Sequence, residues 1–157
     1  MRYVLAHRGV YPVKDSVTDL ILKEIEQGLD KLSTFTLFRS RVEESKEKLV
    51  SLLSELKSQG KRIAGYGATS KSTTVLNYCG IGPALIDYVA DTTPIKQGKF
   101  TPGMRIPIRE PEALRAARPD YVLILPWNLR EEIAAQCAYI REWGGRFVVP
   151  VPELEIF

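Results

Sequence analysis

The segment Ala64-Gly65-Tyr66-Gly67-Ala68-Thr69-Ser70-Lys71-Ser72 lies between an apolar run, residues 63–66, and an amphipathic stretch beginning at Ser70. A glycine-rich turn between strand and helix lets the backbone approach a ligand, and the free N–H groups of the helix start carry positive partial charge. The chemistry expected of it is phosphate binding. Each charge-assisted hydrogen bond contributes about 1.5 to 3 kcal/mol, the helix end roughly 1 more, and Lys71 adds a point charge to the same oxygens. Gly65, Tyr66, Gly67, Ala68, Thr69, Ser70 and Lys71 are therefore candidate ligand-binding residues. Two known patterns miss at one position: Ser70 replaces the third glycine of G-x-G-x-x-G and also the glycine before the lysine of a P-loop. A turn that only joins strand to helix would use the same glycines.

A second concentration of unusual residues runs from Asp91 to Met104, after an apolar run. In open α/β sheets ligands bind beyond the carboxyl ends of the strands, so Lys96, Gln97 and Lys99 are expected on the same crevice as the glycine turn. Asp91 stands near the ~20-residue offset at which an acid takes ribose hydroxyls. A loop shaped only by Pro and Gly turns explains this segment equally well. Pro126-Trp127-Asn128 follows another apolar run and offers an aromatic wall and an amide, with ordinary packing as the alternative for Trp127.

The scarce residues narrow the chemistry. His7 is the only histidine and has no Ser, Cys or acid beside it, which disfavours a nucleophilic triad. Cys79 and Cys137 lack metal-ligand spacing and read as small buried hydrophobes. With 157 residues, 45% hydrophobic and 26% charged, the chain suits one ordinary domain. Its charge of +3 is dispersed, favouring small anions over duplex nucleic acid. No apolar run is long enough for a membrane span, and the start lacks a signal-peptide pattern, so a cytoplasmic protein is expected.

The elements that would position these residues fall into two parts. In residues 1–60, Met1 to Ala6 reads as a short strand, Asp15 or Ser16 opens a helix to about Gly28, and Ser33 or Thr34 opens a long helix ending at Gly60. That helix would span roughly 38 Å. In residues 61–157, apolar runs alternate with amphipathic stretches, the mark of βαβ units. Strands are expected at 63–66, 86–90, 106–108, 121–125 and 146–149, with helices at 70–78, 111–117 and 129–143. The fold class is α/β: a Rossmann-like open parallel sheet of about five strands, order 3-2-1-4-5, preceded by a short strand and two helices.

Taken in order, Gly65-Tyr66-Gly67-Ala68 with Lys71, Asn77-Tyr78-Cys79-Gly80-Ile81-Gly82, Asp91-Thr92-Thr93-Pro94 with Lys96-Gln97-Gly98, Thr101-Pro102-Gly103, Ile106-Pro107-Ile108 and Trp127-Asn128 resemble the C-terminal domain of the S-adenosylmethionine-dependent sugar C-methyltransferases. The resemblance extends to Arg2-Tyr3-Val4, Glu26-Gln27-Gly28-Leu29 and Val151-Pro152-Glu153, nearly the whole chain. It implies an enzyme with an N-terminal zinc-binding region, a central domain holding S-adenosylmethionine, and this Rossmann-like part. Neither of the first two matches anything here, nor do the family's catalytic Tyr and His. No cofactor is therefore expected on this chain and no catalytic residue is assigned to it. The implied role is to hold a nucleotide diphosphate sugar for methyl transfer to a ring carbon of a keto-deoxysugar, with Asn77, Asp91, Lys96, Gln97, Trp127 and Asn128 joining the glycine turn as substrate-binding candidates. The methyltransferase domain is the expected partner, in the same polypeptide or a separate chain, and Arg2 to Ala6 would be that domain's last strand. Two other readings stay open: an NAD(P)-binding module of an oxidoreductase, and an assembly module, homo-oligomeric through its long helix, with a vestigial crevice.

Overall fold

The computed structural model describes residues 4–157. Met1, Arg2 and Tyr3, the first half of the expected leading strand, lie outside the described residues; Val4 to Ala6 form no strand. Val4 and Leu5 are exposed and pair with no other strand, and an extended segment without a ladder partner is not held.

The described chain forms two compact units, one up to Arg41 and one from Val42 to Phe157. The first holds α1, Asp15–Glu26, and the start of α2, Leu32–Ser58. Lys14, with no side-chain bond, is the N-cap of α1, and Asp15 sits in the first turn, where its charge complements the helix dipole. Gly28, at φ +70°, turns the chain, and the Thr34 hydroxyl donates to its carbonyl at 2.7 Å. No residue of α1 is buried. The division falls inside α2, because only its later apolar residues, Leu49, Leu53 and Leu56, enter the core of the second unit.

That second unit is built on a six-stranded sheet in the order β3-β2-β1-β4-β5-β6. The strands are β1 (Ile63–Tyr66), β2 (Val89–Ala90), β3 (Ile108–Arg109), β4 (Tyr121–Ile124), β5 (Arg146–Val149) and β6 (Glu155–Ile156). β1 to β5 are parallel, with Gly65 opposite Leu123 and Val89. The chain is thus an open Rossmann-like sheet whose first five strands follow the expected order. The sixth was not anticipated: the chain returns after Pro150 and pairs antiparallel with β5, closed by mutual Phe147–Phe157 backbone bonds. A two-residue strand is too short to show the alternation that marks a strand in sequence.

Alternation along the strands sorts the core into two faces. Ile63, Val89, Leu123 and Val148 cluster with Leu49, Leu53 and Leu56 of α2 and Leu76 of α3 (Ser70–Cys79). Ala64, Ala90, Val122, Ile124 and Phe147 cluster on the other face with Leu114 of α4 (Glu112–Ala117) and Ile133 of α5 (Arg130–Gln136). β2 and β3 are shorter than expected, and β3 begins at Ile108 rather than Ile106. Pro111 is the N-cap of α4, not its first residue. The helix expected over residues 129–143 is broken at Cys137, after which Ala138–Trp143 winds as a 3-10 helix. With three residues per turn, Cys137, Ile140 and Trp143 share one face, so Cys137 and Ile140 are buried while the Trp143 indole N–H reaches the Pro119 carbonyl at 3.0 Å.

Candidate functional site

The turn after β1 sits at the carboxyl edge of the sheet, where the connection from β4 also emerges. Gly67 has φ +89°, and a Cβ on it would lie 2.7 Å from two ring carbons of Pro126. The protein's own second loop therefore demands this glycine. Gly65 is less tightly enclosed, a Cβ there lying 3.1 Å from the Val89 and 3.2 Å from the Leu125 side chain. The Gly67 N–H donates to the Ala90 carbonyl at 2.7 Å, Ala68 N–H to Asp91 Oδ2 at 2.7 Å and Thr69 N–H to Ser72 Oγ at 2.6 Å. Thr69 caps α3, its hydroxyl accepting from Ser72 N–H in a capping box. The expectation that all these amides face a ligand is thereby corrected. Those of Gly67, Ala68 and Thr69 face protein acceptors, and the N–H groups of Ser70 and Lys71, in the first turn of α3, have no protein acceptor among the described residues.

What fills the turn is a carboxylate. Asp91 is 4% exposed. Its Oδ1 accepts from Thr93 N–H at 2.8 Å, and its Oδ2 accepts from Ala68 N–H and from the Lys96 ammonium at 3.2 Å. Burial works to raise its pKa, but the hydrogen bonds from Thr93, Lys96 and Ala68 outweigh it and hold the carboxyl below its ordinary value. Lys96 also donates to the Ala68 carbonyl at 2.8 Å, and the Gln97 amide donates to the Asp91 carbonyl at 2.9 Å. Ala68, Asp91, Lys96 and Gln97 thus form a clamp that ties the two loops. With both oxygens on protein donors, Asp91 is not placed to take the hydroxyls of a ribose.

Beside the clamp, the α3 start meets the loop after β4. The Lys71 ammonium donates to Asn128 Oδ1 at 2.5 Å and lies 5.3 Å from the centre of the Trp127 ring. Lys71 and Asn128 are exposed, while Trp127 is half-buried and packs on the core, so packing and an open polar edge coexist there. Asn77 stands apart from this group. Its amide donates to the carbonyls of Thr73 at 2.8 Å and Pro102 at 3.0 Å, pinning the 101–104 turn to α3.

A cleft of about 320 Å³ opens at the same carboxyl edge beside α4 and the 3-10 segment after α5. Of the residues singled out in the sequence as binding candidates, it contains only Tyr66; Thr92 entered only as part of the 91–94 motif, and Arg115, Gln136 and Tyr139 had no such signal. They come from separate segments, so no local spacing reveals them. Burial first, and then neighbouring Cys137, pushes the Tyr66 phenol up to about 12. Burial likewise raises the Cys137 thiol and the Tyr139 phenol. The Tyr66 hydroxyl donates to Gln136 Oε1 at 3.4 Å.

Residues 1–152 match the family described as C-methyltransferase C-terminal domain. The chain is 39% identical over 143 residues to the C-methyltransferase NovU of Streptomyces niveus, an alignment covering 91% of this chain and 34% of that protein. It therefore spans about a third of the length of that relative. A family match running through all but the last five residues, together with that identity over nine-tenths of the chain, places the chain in one family: it belongs to the C-methyltransferase C-terminal domains.

Proposed function

We propose that this chain is the nucleotide-sugar-holding and architectural part of a sugar C-methyltransferase that uses S-adenosylmethionine, the cofactor being held by a separate methyltransferase domain. The observation that carries the binding half is the edge formed by α3 and the loop after β4. Two unpartnered N–H groups, on Ser70 and Lys71, point out of a helix start beside an exposed ammonium that is steadied by Asn128 and by the Trp127 ring. Phosphate oxygens suit the N–H groups and the ammonium; a base or sugar ring suits the indole. The clamp of Ala68, Asp91, Lys96 and Gln97 has the supporting role of fixing that edge.

Titration with thymidine diphosphate tests this reading. The wild type is expected to bind, and Lys71→Ala to bind roughly tenfold more weakly, the loss of one charge-assisted contact. Equal affinities, or no binding by either protein, would remove the edge as a phosphate site.

A second reading, an assembly module, is favoured by one observation: Leu32, Phe35 and Phe38 in the first turns of α2 are exposed, as are Ile21 and Ile25 of α1. Large exposed apolar groups at helical spacing mark interaction surfaces. Sedimentation distinguishes the readings, since a monomer that binds thymidine diphosphate counts against assembly as the main role.

A further inference from the structure

We propose that the cleft between α4 and the 3-10 segment Ala138–Trp143 is a separate binding site for a small phosphorylated molecule, its phosphoryl group held by Arg115. This site is independent of the edge formed by Lys71, Trp127 and Asn128 and goes beyond the reading given above.

The guanidinium of Arg115 lies 3.7 Å from the centre of the Tyr139 ring. Stacking at this distance fixes the plane of the fork while leaving its N–H edge free. No carboxylate lies within ion-pair distance of Arg115 among the described residues, whereas Arg62 meets Asp120 and Arg130 meets Glu155. An oriented, exposed guanidinium without an acidic partner is the group best suited to a phosphoryl oxygen pair.

Around it the cleft supplies donors. Gln136 accepts from Tyr66 with its amide oxygen, which leaves its NH2 group for a ligand. Burial keeps the phenols of Tyr66 and Tyr139 and the thiol of Cys137 protonated, so none of them places negative charge against an incoming anion. Thr92 adds a hydroxyl, and Glu112, one helical turn before Arg115, is the one acid on the lining. That distribution fits a molecule that carries both a phosphoryl group for Arg115 and hydroxyls that Glu112 and Gln136 can bond. A volume of about 320 Å³ admits a sugar phosphate and is at the low end for ligand pockets, roughly 300 to 1,000 Å³.

The test is a nuclear magnetic resonance titration of the full chain with inorganic phosphate and, separately, glucose 1-phosphate, following the Arg115 Nε–H and Gln136 side-chain resonances. Both are expected to shift saturably, with the sugar phosphate binding more tightly. Arg115→Gln is expected to weaken binding by about tenfold or more, and Arg115→Lys, which keeps charge and fold but loses the fork, by less. Failure of either probe to shift these resonances, or equal affinity in wild type and R115Q, overturns the site. Equal affinity for the two probes overturns the hydroxyl-binding half. Lys71→Ala bears only on the earlier reading, so the two can fail separately.

Discussion

At the scale of single residues, Asp91 is the group on which the carboxyl edge turns. Its carboxylate gathers two backbone N–H groups and an ammonium in a buried position, so its removal leaves donors without an acceptor. Asp91→Asn is expected to cost about 2 to 4 kcal/mol, measured by urea denaturation. The effect carries a pH signature. A carboxyl held below its ordinary value in the folded state contributes stability that is complete above that ordinary value and is lost as pH falls through the folded one. The gap between wild type and D91N should therefore be widest near neutral pH and narrow on acidification below about pH 4. A gap that stays constant down to pH 3 would show that the charge on Asp91 contributes nothing. The same residue illustrates what spacing cannot reveal. Its offset from the glycine turn was legible, but whether its oxygens face a ribose or the protein depends on Ala68 and Lys96, which are 23 and 5 residues away.

At the scale of elements, α3 positions two loops by different means. Its first turn is closed by the Thr69–Ser72 capping box, and its last turn holds the 101–104 segment through Asn77. Gly103 has φ +77°, and a Cβ on it would collide with the Asn77 amide. Gly103→Ala is expected to destabilise by about 2 kcal/mol or more, part from the left-handed backbone and part from the collision. Asn77→Ala alone should cost about 1 kcal/mol for its lost hydrogen bonds. In the double variant the collision is gone, so the measured loss should fall below the sum of the two singles by a coupling of about 0.5 kcal/mol or more. Strict additivity would mean that Asn77 and Gly103 do not touch in solution. Asn77 entered as a substrate candidate through resemblance, and in the fold its amide nitrogen has two backbone partners, the carbonyls of Thr73 and Pro102.

At the scale of the molecule, the two units differ in how their helices are held. Buried Leu49, Leu53 and Leu56 hold the later part of α2, and β1 and β4 are fully or nearly fully buried, but α1 has no buried residue. Local opening follows such differences. Amides of α1 should exchange with solvent about a hundredfold or more faster than those of β1 and β4, as read by hydrogen exchange with mass spectrometry. Comparable protection in α1 would show that its apolar residues are covered in solution. Among the described residues no helix is long and apolar enough to cross a membrane.

The order of the first five strands, their parallel arrangement and the place of the glycine turn were legible in local pattern, because apolar runs, helical spacing and glycines report on neighbours close along the chain. Family membership was legible for a related reason: an ordered set of short motifs survives translation into one dimension. Tertiary structure alone decided which amides of the turn meet a protein acceptor, that Gly67 answers to Pro126, and that Tyr66, Thr92, Arg115, Gln136 and Tyr139 line one cleft. Apart from the local Thr69–Ser72 bond, these depend on contacts between segments 20 or more residues apart, and a sequence carries no distance between such segments until the sheet brings them together.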